Sequence, residues 1–166
     1  MNKELEIWQF AAEKLKRNES VMLLVVAESS GSSPGRQGFK MIVAKSEMCG
    51  SVGGGVMEVK LVEQAKSQIP SFKSKIIEQV HRRNSPAASG MICSGRQTII
   101  LFQFDSSHLK IVRAIVSAIK NGQPKILRIS SLNKATKIIF SIGKNSDSKT
   151  NFTSSAADTA LWLYRR

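Results

Sequence analysis

Val21-Met22-Leu23-Leu24-Val25-Val26-Ala27 is seven apolar residues without a break, and its reading decides the fold. A half-buried strand alternates apolar and polar residues, whereas a continuous run suits a strand buried on both faces. Upstream, residues 2–17 carry Leu5, Trp8, Ala12 and Leu15 at three- and four-residue steps, with Glu and Lys opposite, which predicts an amphipathic helix. Downstream, Glu28 closes the strand and a glycine-rich stretch begins, Gly31-Ser32-Ser33-Pro34-Gly35-Arg36-Gln37-Gly38. Residues 39–44 and 48–52 read as two short strands of a hairpin. The hairpin feeds a second glycine-rich stretch, Gly50-Ser51-Val52-Gly53-Gly54-Gly55, and then a helix over 56–68 that Pro70 stops.

Further along, residues 72–80 alternate loosely and stand between strand and helix, with strand preferred. Residues 81–89 form a polar loop, and Gly90-Met91-Ile92-Cys93-Ser94-Gly95 is a third turn of small residues. The β-branched and aromatic run 97–104 is the most strand-like segment. An amphipathic helix over 107–120 follows, capped by Asn121-Gly122. Residues 125–129 and 137–142 read as a second hairpin, 143–155 as a polar linker, and 156–164 as a short apolar tail. The expected architecture is α+β: a single domain over residues 1–142 with a mixed β-sheet and helices packed on it, then the linker and tail over 143–166.

Composition bounds the function. The 166 residues suffice for one domain with a real core. No apolar run approaches a membrane span and the first residues lack a signal-peptide core, so a soluble cytoplasmic protein is expected. Cys49 and Cys93 are the only cysteines and neither lies in a Cys/His cluster, which argues against structural zinc. A net charge of +13 points to an anionic ligand or acidic partner. The basic residues form no dense stripe interleaved with aromatics, which disfavours nucleic acid; a merely solvated basic surface stays open.

A glycine-rich turn opening a helix leaves free N–H groups at the positive end of the dipole, a ready anion site. Gly53, Gly54 and Gly55 either let a ligand approach the backbone or simply make a turn. Ser32, Ser33, Arg36 and Lys40 offer hydroxyl and cationic donors to a phosphate, or an ordinary exposed loop. Glu58 is read as a helix-dipole carboxylate or a ligand residue. Cys93 is read as a soft ligand beside Arg96 or as a small buried residue, and Cys49 as core. His81 and His108 are read as surface or capping histidines. The chain has no GxSxG, HExxH or P-loop pattern, which favours binding over turnover.

Three ordered motifs resemble the amino-terminal domain of the XdhC/CoxI family. They are Gly31-Ser32-Ser33-Pro34 with Gly38 and Lys40-Met41; Gly50-Ser51-Val52-Gly53-Gly54-Gly55 with Glu58; and Met91-Ile92-Cys93-Ser94-Gly95 before a strand. The resemblance spans about residues 5 to 130. It implies an accessory factor that binds the molybdenum cofactor (molybdopterin) and delivers it to a molybdenum hydroxylase of the xanthine dehydrogenase type. A cysteine desulfurase is a further implied partner. By the same resemblance Ser32, Ser33, Arg36, Lys40, Gly53, Gly54, Gly55, Glu58 and Cys93 would surround the cofactor, with Cys93 facing the metal.

The chain departs from the family pattern at three places. Gly35 stands where many members have Arg, Val56 where they have Cys, and Ser94 where they have Gly. Cys93 is thereby the one motif cysteine left. No counterpart of the family's carboxy-terminal Rossmann domain is found, so a short form and a fragment both stay open. The rival readings are a nucleotide- or phosphate-transferring enzyme fragment and a basic nucleic-acid-binding module. The form of the cofactor and the oligomeric state are left open.

Overall fold

In a computed structural model, the structure describes residues 2–69, 71, 74–81, 95–122, 126–132, 135–139 and 158–162. Helix α1 (Lys3–Lys16) begins at Asn2, whose Oδ1 accepts from the amides of Glu4 and Leu5. Strand β1 (Val21–Gly31) follows, then β2 (Lys40–Val43), β3 (Met48–Gly50) and helix α2 (Gly55–Gln68). Strands β4 (Ser74–His81) and β5 (Gly95–Phe104) lead to helix α3 (Leu109–Lys120).

These strands make a five-stranded sheet in the order β3-β2-β1-β5-β4. The α+β class is as expected, but every pairing is antiparallel, whereas a mixed sheet was anticipated. The reason lies in β1 and β5, which run the full width of the sheet against each other from Val21↔Phe104 to Gly31↔Gly95.

The continuous run in β1 behaves as its composition demands. Val21, Leu23, Val25 and Ala27 point into one core with Trp8, Ala11 and Leu15 of α1 and Val112, Ile115 and Ile119 of α3. Met22, Leu24 and Val26 point into a second core with Val52 and with Leu61, Val62 and Ala65 of α2. Helices on both faces make β1 dry on both sides.

The ambiguous segment 72–80 resolves as strand β4. Strands β6 (Ile126–Leu132) and β7 (Ala135–Ile139) form the expected second hairpin, and the apolar tail supplies β8 (Asp158–Trp162), paired with β6. Residues 82–94 and 140–157 lie outside the described residues, and with them fall the polar loop, the Cys93 turn and the linker.

Candidate functional site

The two glycine-rich stretches meet. A Cβ on Gly35 would overlap the Val52 carbonyl oxygen, and one on Gly53 would stand 2.7 Å from the Gly35 amide nitrogen. The loops touch backbone to backbone, an approach only glycine permits at both points. Gly95, at the end of the third motif, joins them: a Cβ there would lie 2.6 Å from the Ser33 nitrogen. The first two motifs and Gly95 therefore converge at one end of β1 and β5.

What holds the first loop is a residue that the sequence reading passed over. Gln97, buried in β5, accepts from Ser33 Oγ (2.7 Å) and from the Gly35 amide (3.3 Å), and donates to Gln79 Oε1 of β4 (3.0 Å). A polar residue amid the strand-like run 97–104 was the available signal. Ser33 is buried and its hydroxyl engaged internally, whereas Ser32 and Arg36 are exposed.

The glycine turn has an internal anion. Glu58, on the first turn of α2, reaches back so that one carboxylate oxygen accepts from Ser51 Oγ (2.7 Å), the Val52 amide (2.8 Å) and the Gly54 amide (2.9 Å). The Gly53 amide donates to Ser51 Oγ (3.1 Å). Partial burial pushes the Glu58 carboxyl up, but the hydrogen bonds from Ser51, Gly54, Val52 and Gly53 together outweigh it and hold its pKa below the ordinary carboxylate value. The turn needs its glycines because Gly53, Gly54 and Gly55 all take positive φ (138°, 76° and 74°). α2 has no side-chain cap at its N-terminus, and beside Gly54 there is open space.

Lys40 is placed differently from the phosphate contact that the sequence suggested. Its ammonium is buried under α1 and bound by both oxygens of Glu4, at 2.8 and 2.7 Å. Glu4 also accepts from Trp8 Nε1 (2.8 Å). This ion pair borders a cavity of about 480 Å³ between the first turns of α1 and strands β2 and β3. Its lining draws on two of the motifs, through Gly38 and Lys40 of the first and Gly50 and Ser51 of the second, together with Glu6, Phe39 and Cys49. Cys49 is half-buried and packs against the core beneath α1; burial and then the Glu6 charge push its thiol up, so it stays protonated at neutral pH. His108 is a capping residue, its Nδ1 within 2.9 Å of Asp105 at the start of the helical turn before α3. Among the described residues no three His, Cys, Asp or Glu side chains are grouped to hold a metal, and no helix is long and apolar enough to cross a membrane.

Two loops carrying the motif residues, docked on one another and backed by a helix N-terminus, call for comparison with known proteins. Residues 14–80 match the XdhC and CoxI family. That segment contains the serine-proline and triple-glycine motifs and bears out the resemblance they carry; the Cys93 motif lies beyond it. The chain is also similar to the YqeB protein of Escherichia coli (strain K12), 24% identical over 97 residues, which is 58% of this chain and 18% of YqeB. In fold it is similar to the crystal structure of a xanthine dehydrogenase from Bacillus halodurans, with a TM-score of 0.67 and 15% identity, over 84% of this chain and 42% of that one. The chain thus spans less than half the length of either protein.

Proposed function

We propose that this protein binds the molybdenum cofactor and passes it to a molybdenum hydroxylase of the xanthine dehydrogenase type. The observation that carries the reading is the docking of Gly35 on Val52, which puts the two motif loops of the XdhC/CoxI segment side by side at the uncapped start of α2. Because Glu58 already engages the amides of Val52 and Gly54, the cofactor's phosphate falls to the first-turn amides that begin at Gly55. Ser32 and Arg36 are the exposed donors of the neighbouring loop, and a guanidinium suits a bidentate phosphate contact. Ser33 and Lys40 support the site from within, one through Gln97 and the other through Glu4. The chain's charge of +13 suits delivery to an acidic partner surface.

The test is anaerobic titration of the purified chain with molybdenum cofactor, beside Gly54→Asp and Cys93→Ala. A side chain at Gly54 meets open space but must take a φ of 76°, so a thermal melt first checks that the variant is folded while its carboxylate stands beside the phosphate position. Binding weakened at least tenfold is expected, in line with a like-charge contact of roughly 1.4 kcal/mol or more. Undiminished affinity in Gly54→Asp overturns the phosphate placement. Turnover of a nucleotide with Mg²⁺ in place of stoichiometric binding overturns the carrier reading itself.

A further inference from the structure

Near the end of β1 the sheet face changes character. Val25 stands opposite Ile100 and Val26 opposite Ile99, but Glu28 stands opposite Thr98, so the register shifts by one residue between Val26 and Glu28. An unshifted β1 would turn Glu28 and Ser30 to the α2 side with Val26; the bulge brings them to the face that carries Thr98 and Arg96. These four residues share one patch, and with Ser29 and Gln37 they line a cleft of about 290 Å³. Ser29 Oγ accepts from the Gln37 amide (3.2 Å), which ties the first motif loop to the rim. Arg96 stands diagonally across from Glu28, a spacing of roughly 7–8 Å on facing strands. Both are exposed, and neither forms an ion pair with any described residue. The cleft thus presents one positive and one negative pole, each without a protein partner among the described residues.

The lining decides what suits the cleft. All six residues are polar, which disfavours an apolar ligand. One Arg and one Glu sum to no net charge, so a phosphate drawn to Arg96 is repelled by Glu28, and a bare cation drawn to Glu28 is repelled by Arg96. The volume falls just below the roughly 300–1,000 Å³ of drug-sized sites, which suits a small metabolite. We infer that this cleft binds a free α-amino acid, its carboxylate held by Arg96 and its ammonium donating to Glu28. A guanidinium fork matches the two oxygens of a carboxylate. The hydroxyls of Ser30 and Thr98 donate or accept as either end requires. Glu28 and Arg96 stand on the sheet face away from α2, so the inference does not rest on the cofactor reading above.

The purified chain is titrated by calorimetry with L-alanine and L-glutamine, beside L-lactate (no ammonium), L-alaninamide (no carboxylate) and inorganic phosphate. Both amino acids are expected to bind at millimolar concentration or below. Lactate, alaninamide and phosphate are each expected to bind at least tenfold more weakly than alanine, in line with the loss of one charge-assisted contact. Arg96→Gln and Glu28→Gln are each expected to weaken alanine about tenfold, and Arg96→Lys, which keeps the charge without the fork, about threefold. Thermal melts matching the wild type confirm that the variants are folded. Lactate, alaninamide or phosphate bound as tightly as alanine overturns the amino-acid assignment. Alanine bound equally by wild type and both Gln variants, or no binding of either amino acid at millimolar concentration, overturns it as well. Molybdenum cofactor is expected to bind these variants as it binds the wild type; its loss in them overturns the cleft as a separate site.

Discussion

Two carboxylates, one on each helical layer, meet opposite fates. Glu58 on α2 is enclosed by Ser51 Oγ and the amides of Val52 and Gly54, so the glycine turn carries its own anion. Glu6 on α1 borders a cavity and has a buried oxygen with no hydrogen-bond partner among the described residues. Similar side chains at helix starts thus serve different ends. The first is a structural strut that fixes a loop; the second leaves one carboxylate oxygen without a hydrogen-bond partner. A glycine-rich turn opening a helix is therefore not vacant merely because its amides point inward: part of its capacity is already taken.

The largest expected effect strikes the first region alone. Gly35→Ala forces a methyl group onto the Val52 carbonyl and must separate the two loops. A loss of about 3 kcal/mol in urea unfolding is expected, in the range of severe overpacking. A loss below about 1 kcal/mol would mean that the loops are not locked together. Glu58→Gln comes next. It removes the charge from three hydrogen bonds, for an expected loss of about 2 kcal/mol.

Because the folded pKa of Glu58 is depressed, its contribution is complete above the unfolded carboxylate value and fades as pH falls through the lower folded one. The wild type is therefore expected to lose its advantage over Glu58→Gln on acidification through the carboxylate range. A gap between the two that stays constant with pH would break the assignment of Glu58 as an ionised strut. The smallest effect belongs to the second region. Glu6→Leu removes no hydrogen bond at Oε1, so its stability is expected within about 0.5 kcal/mol of wild type, or above it. A loss matching that of Glu58→Gln would erase the contrast.

The sequence is legible where neighbours along the chain decide the outcome. The periodicity of Trp8 and Leu15 predicts α1, the unbroken run from Val21 predicts a strand buried on both faces, and three glycines before Val56 predict a turn into a helix. It is illegible where partners come from far away. Lys40 reads as a free cation until Glu4, 36 residues earlier, is seen against it. Ser33 reads as an open hydroxyl until Gln97, 64 residues later, accepts its hydrogen bond. The antiparallel pairing of β1 with β5 is likewise a long-range fact that no local pattern encodes. Cavities have the same character, since the one beneath α1 is assembled from a helix, a loop and two strands.

The contact between Trp8 and Glu4 has a practical consequence. The indole is wholly buried, its N–H rests on the carboxylate that also grips Lys40, and that carboxylate forms part of the cavity wall. Indole emission responds to the polarity and charge around the ring, so the chain contains its own optical gauge of events at that wall. With Trp162 as the sole other indole, replacing it by Phe leaves a single unlabelled fluorophore through which occupancy can be followed by quenching or spectral shift.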